Sequence, residues 1–354
     1  MQFFQLVLSA LLLIVICSTG ALAQLPAFSG FWLTPQLTAP TAMAINQDYR
    51  VTAHYRRQGS EETGGYRTYM LSGQLPLYTS SNNHFGTLGL SLARDESGAS
   101  YIFSNTGAML TYLYDAALSR RHHLLGGVQA SYYWRKVDWS EVTTSNQFVN
   151  GNFDPTIGPG EAFSEDPGQA FLGNVGLAYY FTDYEGEQLF HIGGALTNVN
   201  NGSFTYLMGN EDQVVPKTIV GYSHIRLYSN PSFDVVSDFY WRSQEQVHDL
   251  TGGLQLRKGT SGLYSMSAGY FGAGLYYSQD KTGMVAVQLV QSDWLFGISY
   301  EMPFASQPLR KIQSGFEVSL GWRASRQEDR NPYRRKYRRK LPWESKNSLP
   351  WLDR

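Results

Sequence analysis

Cysteine is almost absent from the sequence. Its 354 residues include one cysteine, Cys17. That residue lies in an N-terminal apolar stretch that has the features of a cleaved secretion signal. The mature chain is therefore expected to have no disulfide, no thiolate metal site and no cysteine nucleophile.

Long hydrophobic runs and charged residues are also scarce. After residue 23, no apolar run reaches the about 20 residues that a membrane-spanning helix needs, so a multi-helix membrane protein is excluded. Only 16% of residues are charged, but 42% are hydrophobic, which excludes a disordered chain. Glycine and tyrosine are abundant, with 35 and 24 residues, and this composition favours β-structure.

The first residues predict export from the cytoplasm. An apolar core, Phe3–Cys17, leads into the small-residue site Ala21-Leu22-Ala23, so a signal peptide is expected over 1–23 with cleavage before Gln24. No Lys or Arg precedes the apolar core. The alternative interpretation is therefore an uncleaved N-terminal anchor helix.

Apolar and polar residues alternate along most of the chain, as they do in half-exposed strands. In one stretch Leu124, Val128 and Tyr132 share one face, while Gln129 and Ser131 share the other. Several such stretches have ten or more residues, whereas strands in soluble sheets most often have about 5 to 6. A tilted membrane-spanning strand needs about 9 to 11 residues. The pattern favours an all-β transmembrane antiparallel barrel, and a soluble β-sandwich is the alternative.

Fourteen strands are predicted, an even number as in single-chain bacterial barrels. They lie near 48–58, 65–77, 84–95, 105–118, 121–137, 170–183, 187–197, 217–229, 233–243, 248–258, 268–279, 283–291, 293–301 and 313–323. Aromatic residues expected at the membrane interfaces are Trp134, Phe181, Trp241, Trp294, Tyr300 and Trp322. Because periplasmic turns are short and outer loops are long in such barrels, the loop lengths predict both chain termini in the periplasm.

The charge is unevenly distributed. Residues 323–354 hold 11 Lys and Arg against 4 Asp and Glu, a net +7 that leaves −8 for the rest of a chain whose total is −1. The predicted organisation is a signal peptide (1–23), an N-terminal periplasmic segment (24–47), the barrel (48–323) and a basic periplasmic tail (324–354). The candidate partner-binding residues of the tail are Arg334, Arg335, Lys336, Arg338, Arg339 and Lys340. An acidic periplasmic partner or an anionic lipid surface would suit them, a solvated extension is the alternative, and nucleic acid is not expected.

Six stretches, taken in order, resemble a known family. They are Tyr49–Gln58, Thr68–Leu77, Phe85–Asp95, Leu124–Tyr133, Phe171–Tyr180 and Gly274–Tyr277. They are similar to the PorP/SprF family, outer-membrane barrels of the Bacteroidetes type IX secretion and gliding machinery. The resemblance implies a non-enzymatic outer-membrane component. No cofactor and no metal are expected, because the sequence has no phosphate-binding Gly-rich loop and no regular spacing of metal ligands.

The resemblance also implies partners. A secreted surface protein or adhesin is expected at the outer face, where 138–169 and 198–216 are candidate loops, and components of the periplasmic secretion ring are expected at the inner face. Outer-membrane lipid is expected around the barrel. One alternative is an outer-membrane channel or hydrophobic-solute transporter of porin or fatty-acid-transporter type. A barrel hydrolase is a second, although no nucleophile and base can be nominated for it.

The polar faces of the strands carry ionisable residues of both signs. The candidates for ion pairs in the lumen are Arg56, Arg135, Arg226, Asp234, Asp238, Arg242, Asp249 and Glu317. An ion-selective pore would be expected to carry rings of one sign, and none is evident. Closure of the lumen by ion pairs is therefore favoured over a narrow passage. The adjacent His122 and His123 are interpreted as solvated residues of a periplasmic turn.

Overall fold

The computed structural model describes most of the chain between Phe28 and Ala324. The described residues are 28–45, 49–59, 65–81, 83–98, 101–138, 145–149, 152–154, 156–157, 168–183, 188–204, 213–230, 233–245, 247–259, 269–279, 282–291, 293–304 and 314–324. The predicted signal peptide and residues 325–354 of the basic tail lie outside them and stay predictions. Within the described residues, no helix has the length and apolar character to cross a membrane.

Fourteen antiparallel strands form one closed barrel. They are β1 (Tyr49–Gln58), β2 (Tyr66–Tyr78), β3 (His84–Ser97), β4 (Phe103–Ala117), β5 (His122–Val137), β8 (Gly168–Thr182), β9 (Gln188–Thr197), β12 (Thr218–Ser229), β13 (Phe233–Gln244), β14 (Val247–Gly259), β15 (Gly269–Ser278), β16 (Thr282–Gln291), β17 (Trp294–Pro303) and β18 (Gly315–Ala324). Each pairs with its neighbours along the chain, and β1 pairs with β18. The sheet therefore has no free edge, and its strands satisfy their backbone hydrogen bonds within the barrel.

Two small sheets and a few short turns complete the described structure. One sheet pairs β6 (Phe148–Val149) with β7 (Asn152–Phe153), and the other pairs β10 (Ser203–Phe204) with β11 (Gln213–Val214). The helical elements are α1 (Pro35–Thr38) and two 3-10 turns, Ala42–Ile45 and Ser145–Gln147.

The fourteen-strand barrel predicted from the sequence is confirmed. Each predicted strand has a counterpart, and the ends differ by at most two residues. The agreement follows from the alternation of side chains between two environments. On β8, for example, Leu177 faces outward and is 68% exposed, whereas its neighbour Ala178 faces inward and is 5% exposed. The two small sheets lie within loops that carry no such alternation and were not predicted.

The barrel has two different rims. At the first, the terminal rim, β1 begins and β18 ends, and short connections such as 118–121 join the strands. At the second, the loop rim, the long connections 138–167 and 198–217 leave the barrel. Trp294 and Trp322 are cross-strand neighbours at the terminal rim and are 48% and 42% exposed. This outward pair has the position of an interfacial aromatic girdle.

Candidate functional site in the barrel lumen

Residues 28–45, which we call the lumen segment, run through the inside of the barrel. Side chains of this segment contact inward-facing residues of strands around the barrel: Phe28 with His54, Phe31 with Tyr240, Trp32 with Tyr276 and Thr41 with Tyr222. The middle of the segment is almost inaccessible to solvent, with Gln36 and Met43 each 1% exposed. The segment therefore fills space that would otherwise be open along the barrel axis.

For residues 28–45 this position differs from the periplasmic location expected for 24–47; residues 24–27 and 46–47 lie outside the described residues. The physical reason is composition. No Asp, Glu, Lys, Arg or His occurs in 24–47, and the segment carries Phe28, Phe31 and Trp32. A stretch without charge loses little on leaving water, while burying its aromatic side chains is favourable.

The carboxylate of Glu317, on β18, holds the start of the lumen segment. Its two oxygens accept hydrogen bonds from the backbone N–H groups of Ser29, at 2.7 Å, and Gly30, at 2.9 Å. The Arg56 guanidinium lies 3.4 Å from the same carboxylate and 3.1 Å from that of Glu301. Arg56 and Glu317 are directly opposite each other where β1 meets β18. The clamp therefore lies at the seam that closes the barrel.

Gln36 fixes the middle of the segment through both ends of its side-chain amide. Its Nε2 donates to the backbone carbonyl of Gly73 at 2.9 Å, and its Oε1 accepts from the Ser91 hydroxyl. Its backbone carbonyl accepts from Gln129 Nε2 at 2.9 Å, and Asn174 donates to Gln129 Oε1 at 2.7 Å. Gln36 itself therefore bonds to β2, β3 and β5, and Gln129 extends the network to β8, so one residue ties the segment to one side of the wall. A buried polar side chain with all of these partners is strongly positioned.

An aromatic stack supports the opposite side of the segment. The ring of Trp32 lies parallel to that of Tyr276, with centroids 4.1 Å apart and an interplanar angle of 11°. Tyr276 donates a hydrogen bond to Asp238 Oδ2 at 3.0 Å, and Asp238 Oδ1 lies 2.5 Å from His224 Nδ1. The stack is thus backed by a buried carboxylate that contacts two strands besides its own.

Glycines on the inner wall make room for the segment. A Cβ atom at Gly127 would lie 2.8 Å from Pro40 Cβ, and one at Gly89 would lie 2.5 Å from Met43 Sδ. Both distances are far below van der Waals contact. The close approach of segment and wall therefore requires glycine at these positions.

The close packing of the lumen segment on Gly127 predicts that a valine on the inner face of β5 will expose the segment, whereas a valine on the outer face will not. Gly127→Val should displace the segment, because overpacking costs about 1–3 kcal/mol. In a Cys17→Ser background with the reporter Thr34→Cys, we expect a membrane-impermeant maleimide to react on the order of tenfold faster than without the valine. The matched control is Gly126→Val, where a Cβ meets no atom within 4 Å. Equal labelling of the two valine variants would contradict the proposed fit.

The predicted lumen residues occupy several separate clusters. Arg56 and Glu317 form the clamp, and Arg242 pairs with Asp249 across the β13–β14 hairpin. Arg226 lies 3.7 Å from Asp183 and donates a hydrogen bond to the Gln188 carbonyl. Asp234 accepts a hydrogen bond from Ser229 at 2.6 Å, and Asp238 contacts His224 and Tyr276. The Arg135 guanidinium lies 3.8 Å from the Phe204 ring centroid. The structure thus places only two of the four predicted arginines in ion pairs with predicted acids. What these clusters do functionally stays a prediction.

Another polar cluster lies near the terminal rim and was not predicted from the sequence. The two carboxylate oxygens of Asp115 each lie 2.8 Å from a histidine Nδ1, one from His84 and one from His123. The Asp115 side chain is 3% exposed. The interpretation of His122 and His123 as solvated turn residues was therefore wrong for His123. Alternation would have placed His123 on the inward face with Gln129, because both numbers are odd. Within the described part of the chain, no group of three His, Cys, Asp or Glu residues could hold a metal ion.

Part of the connection 198–217 packs inside the loop rim against β5 and β8. Phe204 and Val215 pack against Tyr133 and Leu172, whose side chains face inward. Asn198 is fully buried, accepts a hydrogen bond from the Gly202 N–H at 2.6 Å and donates to the Val215 carbonyl. A second piece of the chain therefore occupies the β5–β8 side of the lumen at the loop rim. The predicted tail residues Arg334 to Lys340 lie outside the described residues.

The geometry and the sequence together define the class of protein, an outer-membrane β-barrel whose lumen holds its own N-terminal segment. The model of the family described as type IX secretion system membrane protein PorP/SprF matches residues 21–322. The chain belongs to this family and is a membrane component of the type IX secretion system. The match includes the lumen segment, so that segment is part of the family region. No curated protein was found to match the chain.

Solved structures provide more distant likenesses. The chain is 8% identical to the Pseudomonas putida toluene transporter TodX, with 87% of this chain and 95% of that one covered and a TM-score of 0.45. It is 10% identical to the monoaromatic hydrocarbon channel CymD, with 83% and 92% covered and a TM-score of 0.45. For CdiB from Acinetobacter baumannii the identity is 6% and the TM-score 0.41; the match covers 78% of this chain and spans only 60% of the CdiB chain. These values establish no functional relationship.

Proposed function

We propose that this barrel is a closed docking component of the type IX secretion system, which acts through its two rims and does not transport through its lumen. The observation that carries the proposal is the filled interior. The lumen segment is held by Glu317 and Gln36, and residues 198–204 and 213–217 pack inside the loop rim against β5 and β8. A barrel filled by its own chain leaves the rims as the surfaces that partners can reach.

The two rims suit different partners. With the chain termini in the periplasm, the loop rim faces the cell exterior, and its long connections 138–167 and 198–217 would accept a secreted surface protein. The terminal rim and the basic residues 325–354 would face the periplasmic secretion ring. The net positive charge of this tail favours an acidic partner surface.

Complementation of a strain without this gene tests the proposal. Replacing residues 140–166 by a short Gly/Ser turn should abolish retention of the surface protein and its co-purification, and leave the amount of folded barrel unchanged. The matched control is the same replacement of 261–267 at the terminal rim. Retention equal to that of the full chain after the first replacement would refute docking at the loop rim.

The tail gives a second prediction. Deletion of residues 325–354 should reduce co-purification of periplasmic ring components at least about tenfold, because several charge contacts are lost together. Binding of ring components by the full chain should fall steeply between low and high salt. Exposed charge contacts are screened beyond about 8 Å at physiological ionic strength. Undiminished secretion and co-purification after the deletion would eliminate the tail as a binding element.

A further inference from the structure

A row of cations crosses the outer face of the barrel at the loop rim. Arg57 on β1 is directly opposite Arg67 on β2, and Arg67 is opposite Glu96 on β3. The same row continues through Ser104 on β4 to Lys136 on β5. Strands lie about 4.8 Å apart, so the row covers roughly 19 Å of the surface.

Only one carboxylate lies within this row. The Glu96 carboxylate forms ion pairs with both Arg67 and Arg94. Arg94 lies one pleat below Glu96 on the same strand, and its guanidinium is 2.9 Å from the carboxylate. The Arg67 guanidinium also lies 3.9 Å from the Tyr101 ring centroid, which fixes its position. Arg57 has Arg67 and Phe316 as its cross-strand neighbours. Like charges directly opposite each other in a sheet are destabilising, so this row favours an added anion.

The rows below identify the depth of the cations in the membrane. One pleat below, Arg94 shares a row with the aromatic residues Tyr55, Tyr69 and Trp134, and the next pleat below carries Leu71 and Leu92. From the rim downward, the outward rows carry first cations, then mainly aromatic residues and then aliphatic residues. This order matches the headgroups, the interface and the acyl chains of a bilayer. The cations therefore lie at the level of lipid headgroups.

The cluster is confined to one sector of the rim. Around the other nine strands, the outward positions near the loop rim carry one Lys or Arg among the described residues, Lys217. On β1 to β5 the corresponding positions carry Arg57, Arg67, Arg94 and Lys136, with Glu96 as the carboxylate and Asp138 two residues beyond Lys136. Among the described outward residues of this sector, four cations stand against two acids.

We propose that Arg57, Arg67, Arg94 and Lys136 form a binding site for the phosphate groups of a phosphorylated glycolipid of the lipid A class in the outer leaflet. Guanidinium groups bind phosphate oxygens through paired hydrogen bonds, and the aromatic row beneath would contact the sugar and upper acyl region. The site is independent of docking at the rims, because it lies on the lipid-facing surface. It depends only on the loop rim facing the cell exterior.

The test measures lipid retained by the purified full chain in detergent, by native mass spectrometry. The probes are diphosphorylated lipid A, the same lipid without phosphate, phosphatidylglycerol and inorganic phosphate. We expect the full chain to bind diphosphorylated lipid A tightest and to discriminate against the dephosphorylated form by at least about tenfold. Equal binding of both forms, or of inorganic phosphate alone, would overturn the proposal. Tightest binding of phosphatidylglycerol would also overturn it, and would indicate the other leaflet.

The variants separate this site from general electrostatics. The double substitution Arg57→Gln/Lys136→Gln leaves the Glu96 contacts in place and should weaken binding roughly 25-fold, about fivefold for each cation removed. The control Lys217→Gln/Lys258→Gln removes the same charge from outward positions elsewhere and should change binding less than about twofold. An equal loss in both double variants would mean that net charge alone attracts the lipid, and would refute a defined site.

Discussion

Deletion of residues 28–45 should turn a silent barrel into a conducting one. The interior of a fourteen-strand barrel lies between filled barrels of about 8 strands and aqueous channels of about 16. Without the lumen segment, the obstruction that remains among the described residues is 198–204 and 213–217, which lie against β5 and β8. In planar bilayers we expect conductance at least about tenfold above that of the full chain, and a further increase when residues 199–214 are also replaced by a short Gly/Ser turn.

The matched control for this deletion removes residues from outside the lumen. Deletion of 325–354 leaves the lumen segment intact and should leave the bilayer silent. Open conductance from the full chain would contradict the closed docking component and favour the channel alternative. A silent deletion variant that is folded, as judged by its heat-resistant mobility on a gel, would show that the segment does not seal the barrel.

Neutralising Glu317 should destabilise the barrel more than neutralising the acid of a rim ion pair. Glu317→Gln removes one of two carboxylates from the half-buried Arg56. It also removes one backbone hydrogen bond to the lumen segment, because the amide nitrogen cannot accept one, and weakens the other. Removing a partner from a buried charge network costs about 2–4 kcal/mol of unfolding free energy. Urea-induced unfolding in phospholipid vesicles measures this loss.

Two comparisons make the result specific. Asp249→Asn breaks the pair with Arg242, but the Asp249 side chain is 33% exposed, so a loss of about 0–1 kcal/mol is expected. A double-mutant cycle with Arg56→Gln should give a coupling energy of about 1–3 kcal/mol between Arg56 and Glu317. If Glu317→Gln cost no more than Asp249→Asn, the clamp would not be a major stabilising contact.

The sequence was sufficient for the barrel wall because the relevant information is local. Alternation places Leu177 outward and Ala178 inward without knowledge of any other strand. The Arg242–Asp249 pair is similarly local, since the two residues face each other across one hairpin. The family resemblance came from the same alternating stretches and is confirmed by the family match.

The lumen segment could not be found in this way, because its position depends on the whole closed wall. Residues such as Gln36 and Trp32 follow no strand or helix period, and their partners come from strands far apart in the chain. The pairing of Arg56 with Glu317 likewise exists only once the first and last strands meet. The absence of charge over 24–47 was the available signal, and alone it indicates only that burial is inexpensive.

The position of the clamp also links closure of the wall to the hold on the lumen segment. Glu317 belongs to the last strand, its partner Arg56 belongs to the first, and the same carboxylate binds Ser29 and Gly30. A nascent barrel whose final strand has not yet joined the first has an incomplete clamp and an open side. Pairing of the last strand with the first therefore does two things at once: it completes the wall, and it brings the Glu317 carboxylate to the position from which it holds the N-terminal segment.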